Sequence, residues 1–435
     1  MIRIHLIMIL VLCQAVFSER LVLQLATGGR GMILVTNLVS PWITLALVLL
    51  PFWSDLRRTF WTNEFVLYWM PYLALTFLLP LLGVALADYP ARSAFASWNA
   101  LDPMCFLVIG AAGVFHLQRA GKVIQRYFMF AVLAQLGLAI VQTMGQYDYL
   151  PGILKSIYNW DFTFKAVHQL DNIILARATG FYLNPNSLGI WALLAFWTSF
   201  FLLHGKQRFV GCVASFGTIL LCQSRGSLAG LLGSGAIYGA SWTLFRADRN
   251  QRRKATLFIA ILAVPILMLS APGLTDATFS HLREVPLVGS LLERYTSGAK
   301  VVSQGASADA SFQVRTDLWQ LGYEYLVNHP FGSLGSPEMG TKVPQDNQFI
   351  SALEQGSFYF FGALLLMFFG GVRLINSPLV ASRLLAVASL GLMVNGISAV
   401  PFSSSASHIF WLLVGVALAQ HVKLKETALL AEVYR

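Results

Sequence analysis

Long apolar runs recur along this chain, separated by short polar breaks. A helix needs ~20 apolar residues to cross a hydrocarbon core. Only structures that satisfy every backbone N–H and C=O internally are stable there. The chain is therefore expected to be an all-α polytopic membrane protein. Composition agrees: 56% of the 435 residues are hydrophobic and 11% are charged, where soluble proteins carry about 25% charge. The net charge of +10 would suggest nucleic acid in a soluble protein. Here it fits the Lys/Arg-rich cytoplasmic loops of membrane proteins, and no nucleic-acid partner is expected.

The hydropathy pattern predicts about twelve helices, near 5–18, 32–53, 65–87, 100–117, 127–146, 186–204, 208–222, 226–245, 255–272, 349–372, 379–401 and 406–422. The first and seventh are short for a full crossing. The N-terminal run could pass for a signal peptide, but no small-x-small cleavage site follows it, so it is expected to stay as a helix. Cys13, Cys105, Cys212 and Cys222 fall in apolar segments without metal-ligand spacing, and neither a disulfide nor a metal is expected.

Orientation follows from the basic breaks. The loop 246–254 holds Arg246, Arg249, Arg252, Arg253 and Lys254 against one acid, Asp248, which marks it as cytoplasmic. Alternation then places Arg57/Arg58, Arg119/Lys122/Arg126, Lys206/Arg208, Arg373/Arg383 and Lys423/Lys425 inside, with both termini cytoplasmic. Six segments result: N-terminal helices over 1–146, an external segment with an interfacial helix over 147–185, and central helices over 186–272. A large external loop, partly helical, covers 273–348; C-terminal helices cover 349–422, and a cytoplasmic tail covers 423–435. In the large loop Val314, Leu318, Leu321 and Tyr325 recur at helical spacing up to Pro330, the pattern of an amphipathic helix.

The remaining arginines carry the chemistry. Arg177 and Arg225 each sit just before an apolar run, where a buried charge is costly unless a negative group meets it. Asn184-Pro185-Asn186, Arg225-Gly226-Ser227 and Asp346-Asn347 each open a helix on the outer side. A helix N-terminus offers unpaired N–H groups and partial positive charge, and with arginines nearby it makes an anion site. Bland readings stand beside these. Asn184–Asn186 also reads as an N-cap with proline in the first turn, Arg177 as a solvated loop residue, and Asp346 as an N-cap. Arg315 also reads as an ion-pair partner of Asp317 or Glu324, and His329 as a turn residue ending the loop helix. Glu354 lies eight positions after Asp346, on nearly the same helix face. The helix interiors carry no Asp, Glu, Lys or Arg near mid-membrane, which weighs against an ion-coupled transporter.

R-x-x-G-F-x-x-N-P-N at 177–186, Q-S-R-G at 223–226, R-x-x-x-W at 315–319, H-P-F-G-S-L-G at 329–335 and D-N-Q-F-I-x-x-L-E-Q-G at 346–356 together resemble the O-antigen ligase and Wzy-type polysaccharide polymerase family. The resemblance implies a GT-C-like membrane fold and a metal-independent, cofactor-free, inverting glycosyltransferase of the bacterial inner membrane, with its active site facing the periplasm. It implies undecaprenyl-pyrophosphate-linked oligosaccharide as donor and acceptor, membrane lipids as surroundings, and a chain-length regulator as a partner. By motif, Arg177 and Arg225 would hold the donor pyrophosphate and Asp346 would act as general base. Arg294, Arg315, Asn186, Asn347, His329 and Glu354 would line the substrate site. The family's ligases carry His-Asn where this chain has Asp346-Asn347, a departure that favours a polymerase over a ligase of glycan to lipid A core. A transporter of lipid-linked glycans is the alternative of another class.

Overall fold

The computed structural model describes residues 2–16, 64–152, 177–245, 310–335 and 346–433, except for a few positions inside these ranges, together with isolated residues elsewhere. The described residues are helical, without strands. In chain order the helices are α1 (Ile2–Ala15), α2 (Met70–Leu86), α3 (Trp98–His116), α4 (Gly121–Gln146), α5 (Pro185–Leu202), α6 (Gly205–Cys222), α7 (Arg225–Phe245), α8 (Ala310–Asn328), α9 (Gln348–Val372), α10 (Val380–Asn395) and α11 (His408–Val433). They fall on every expected span except 32–53 and 255–272, which lie almost wholly outside the described residues. α8 is the helix expected before Pro330, with Val314 and Leu321 of its expected apolar face exposed. Most of the segment expected to be interfacial, 153–176, is likewise outside them.

Gly121–Gly145, Pro185–Leu202, Gln348–Asn376 and Ser405–Lys425 are long and apolar enough to cross a membrane, and Met70–Leu86, Ala100–Val114 and Val380–Asn395 are shorter apolar helices. Their burial separates centre from rim. The Pro185–Leu202 window is 72% buried and the Gly121–Gly145 window 33%, so α5 is an inner helix and α4 gives most of its surface to the surroundings. A helix that is apolar all round belongs inside. α5 fits, with Leu188, Trp191, Leu193, Leu194 and Trp197 all buried. α5 packs against α6, α7 and α10, α4 against α6, and α11 against α3.

Two expected helices differ in detail. The eleventh was expected to run to 401; α10 instead ends at Asn395, and 3-10 turns cover Pro401–Ser403 and Ser405–Ser407. Gly396 and Pro401 account for this, the first as a weak helix former and the second for want of an N–H. α9 is interrupted at Gly356 and Ser357, whose backbones are non-helical (Ser357 φ +56°).

The break in α9 frees backbone groups that must find partners elsewhere. The turn after α8 supplies one and adds a side-chain bond. Ser333 N–H donates to Glu354 C=O at 2.7 Å, and the Ser357 hydroxyl donates to Pro330 C=O at 2.5 Å. The Tyr89 hydroxyl donates to Ser333 C=O at 2.5 Å, tying the same turn to the end of α2. Gly332 makes this fit. Its φ is +73°, and a Cβ there would lie 2.7 Å from Glu354 O. A side chain would meet both a left-handed backbone penalty, about 1–2 kcal/mol, and a clash with main-chain atoms. Gly332→Val is therefore expected to lower the thermal midpoint of the detergent-solubilised protein by several degrees and to reduce its level in membranes.

Candidate functional site

The site is assembled where helices begin, end or break. Residues 177–182 are non-helical, and neighbouring elements satisfy their main chain. Ala178 N–H donates to Leu221 C=O at 3.0 Å. Gln142 Oε1 accepts from Thr179 N–H at 3.0 Å and Gly180 N–H at 2.8 Å, and its Nε2 donates to Gly180 C=O at 3.1 Å. Gln135 Oε1 accepts from Phe181 N–H at 3.0 Å, and the Tyr182 hydroxyl donates to Ala15 C=O at 2.6 Å.

From this strap Arg177 reaches the end of α6. Its Nε donates to Cys222 C=O at 3.2 Å and its Nη2 to Asn186 Oδ1 at 3.0 Å. Arg177 and Asn186, the two ends of the 177–186 motif, are thus in direct contact. Asn184 is the N-cap of α5, its side chain accepting from Asn186 N–H at 2.7 Å. The N-cap reading of this motif holds, and the contact with Arg177 is added to it.

Three residues after Cys222, Arg225 begins α7, half-buried. Gln223 closes α6 in the left-handed region (φ +51°, ψ 36°). Ser224 C=O accepts from Leu228 N–H at 3.0 Å, and Ser224 Oγ lies 2.9 Å from Ser227 Oγ. Ser227 Oγ accepts from Asn395 Nδ2 at 2.9 Å, across to the end of α10. Two residues on, Ile397 C=O accepts from Asn347 Nδ2 at 3.0 Å. The short stretch 395–397 therefore joins the α7 start, where Arg225 stands, to the α9 start, where Asp346 stands.

At that second start Asn347, rather than Asp346, is the N-cap. Its Oδ1 accepts from Phe349 N–H at 2.9 Å and Ile350 N–H at 3.2 Å. Asp346 is one residue too early to reach those amides and is left for another role. Its Oδ2 accepts from Arg315 Nε at 2.5 Å, and its Oδ1 is buried without a hydrogen-bond partner among the described residues. The bland reading of Arg315, an ion pair with Asp317 or Glu324, does not hold. Those carboxylates instead accept from Gln313 Nε2 at 3.0 Å and Gln320 Nε2 at 2.9 Å, one turn away along the exposed side of α8. Arg315 faces α9, with its side chain 15% exposed.

Glu354 is fully buried at the break of α9, where its Oε1 accepts from Thr341 N–H at 3.0 Å. This ties Thr341, between α8 and Asp346, to the first part of α9. His329 closes α8: its N–H donates to Tyr325 C=O at 2.9 Å, and its ring stacks on Tyr325 at 4.2 Å between centroids. The turn reading of His329 holds. Burial pushes the Tyr325 hydroxyl above its usual range, reinforced by Tyr89 and Glu354, and burial does the same to Tyr89, so both stay neutral donors near pH 7. Arg294 lies outside the described residues, and no metal-ligating cluster occurs among the described residues.

The geometry brings together Arg177 with Asn186 and Arg315 with Asp346, and it links the start of α7 at Ser227 to Asn347 through Asn395 and Ile397. Sequence reasoning missed Gln135, Gln142 and Asn395, and it took Ser227 only as part of a helix start. The signal of the first three was a polar residue inside an apolar run, which only its buried partners make meaningful.

Residues 210–356 match the family model described as O-antigen ligase. The match supports the O-antigen ligase and Wzy-type family. It runs from α6 through α7 and α8 to the break in α9, so it includes Arg225, Arg315, Asp346, Asn347 and Glu354 and stops short of Arg177 and Asn186. No curated protein matches the chain. Enzymes of this family are glycosyltransferase-like, and the family implies lipid-linked oligosaccharide substrates.

A carboxylate with one oxygen held by Arg315 and the other without a partner among the described residues is an arrangement that suits a general base. Asp346→Asn keeps the shape and removes the basic oxygen, so glycan transfer is expected to fall by about 10²-fold or more, with the protein level unchanged. Turnover at the wild-type rate would assign the proton to another group.

Proposed function

We propose that the protein is an inverting, metal-independent glycosyltransferase of the bacterial inner membrane. It polymerises undecaprenyl-pyrophosphate-linked oligosaccharide repeat units into a surface or secreted polysaccharide at the periplasmic face. The observation that carries this reading is the pair Arg315–Asp346 at the start of α9, coupled through Asn347, Ile397, Asn395 and Ser227 to the helix start that bears Arg225.

In the proposed reaction a sugar hydroxyl of one lipid-linked unit attacks the anomeric carbon of a second glycan. The C–O bond to undecaprenyl pyrophosphate breaks as the new glycosidic bond forms, with inversion. The hydroxyl proton passes to Asp346 Oδ1, and Arg315 on Oδ2 keeps the carboxylate turned to receive it. Charge grows on the leaving pyrophosphate. Arg177, held by Asn186 and Cys222 C=O, and Arg225 at the N-terminus of α7 meet it with cationic donors and helix-end amides. Preorganised donors of this kind are worth far more in a dry site than in water. Asn347 caps the helix that Asp346 precedes, and in this reading the acid–base half lies above the membrane helices.

A second reading, transfer of finished glycan to lipid A core, is favoured by the description of the matched family as O-antigen ligase. Asp346, where the resembled ligases carry His, favours polymerisation.

Two outcomes follow. Arg225→Ala is expected to lower transfer by on the order of 10²–10³ at normal protein level; normal polymer in that variant would sink the pyrophosphate site. The purified protein given one lipid-linked oligosaccharide and no other acceptor should yield a ladder of polymer lengths by gel electrophoresis. Silence there, with product appearing only on adding lipid A core, would establish the ligase.

A further inference from the structure

We propose that Gln142 on α4, assisted by Gln135, is a positioning residue for transfer: it sets the strap 177–182 from which Arg177 is presented. This rests on the reading of Arg177 as a ligand of the donor pyrophosphate.

The two glutamines are seven residues apart, which places them on one helix face, and both are fully buried. Their amides answer three consecutive N–H groups, those of Thr179, Gly180 and Phe181, and one carbonyl, that of Gly180. Gly180 allows this approach. Its φ is +57°, and a Cβ there would lie 2.2 Å from Gln135 Oε1. None of these backbone groups has a helix partner, because the strap is not helical. In apolar surroundings unmet groups of this kind would pull the segment into another conformation.

The chemistry of the amide also matters. A carboxylate at 142 would accept from the same N–H groups, but it would bring a negative charge to a segment whose arginine is to receive an anion. Glutamine supplies acceptor and donor without charge. It holds the strap without adding charge beside Arg177. Arg177 is two residues from the bonded Thr179 and is fixed at its far end by Cys222 C=O and Asn186. Loosening 179–181 therefore moves the base of the arginine while its tip stays engaged.

The test uses the full chain in lipid nanodiscs with undecaprenyl-pyrophosphate-linked oligosaccharide as substrate. Gln142→Leu should speed amide hydrogen exchange across 178–182, leave exchange in α9 and α11 unchanged, and lower kcat/KM by ~10-fold or more. The decisive readout is coupling. In an Arg177→Lys background the same substitution should cost less than about twofold, because residues acting through one another are non-additive. Wild-type kcat/KM in Gln142→Leu, or the same loss in both backgrounds, would overturn the proposal while leaving the arginine site intact. Wild-type transfer by Arg177→Lys and Arg177→Ala would overturn the arginine site, and the proposal with it. If Gln142→Leu does not accumulate, Gln135→Leu removes a single bond and is read by the same two criteria.

Discussion

Backbone groups in apolar surroundings must find partners within the protein, and the helices of this chain meet that demand by themselves. Its interruptions cannot. The strap 177–182, the turn 223–224, the break at 356–357 and the stretch 395–399 all leave N–H and C=O groups that only a second element can satisfy. Most are met by a polar side chain or a neighbouring main chain: Gln142 and Gln135 for the strap, Ala178 N–H and Arg177 for the last carbonyls before the turn, the 330–333 turn for the break, and Asn347 for the stretch after α10. The candidate site consists of these interruptions. The bonds that make irregular backbone tolerable also bring the site's residues together.

A division of labour follows. Inner helices such as α5 and α10 bury aromatic and small residues and form the rigid body. Arg225 opens α7 and Arg177 lies in the strap before α5, where charge need not cross the apolar interior. Asp346 and Arg315 belong to a different layer, the junction of α8 with the first part of α9. Serine and asparagine bonds at 227, 395 and 347 couple the layers, so a leaving-group half and an acid–base half keep a common geometry while their sequence positions lie far apart.

Much of this was legible from periodicity and end signals. α5, α6 and α7 start within a few residues of the expected positions because Pro185, Gly205 and the QSRG turn are strong local punctuation. α8 was legible from its four spaced apolar residues and Pro330. The break in α9 was not, since Gly356 alone is tolerated in many helices and Ser357 gives no warning. The Arg315–Asp346 pair was also hidden. Acids at 317 and 324 are close in sequence and lie on the same helix, yet they point to the exposed side of α8, while a residue 31 positions away faces Arg315.

By itself the sequence determined the all-helical membrane class, the approximate helix ends and the set of arginines left at those ends. These depend on apolar run length, on the cost of placing charge in hydrocarbon, and on local backbone preferences, all properties of neighbouring residues. The tertiary structure decided which polar groups meet. Arg177 with Asn186 and Cys222, Arg315 with Asp346, and Gln142 with the strap are contacts across packed elements. Their partners are chosen by helix rotation and depth, which no stretch of sequence encodes alone.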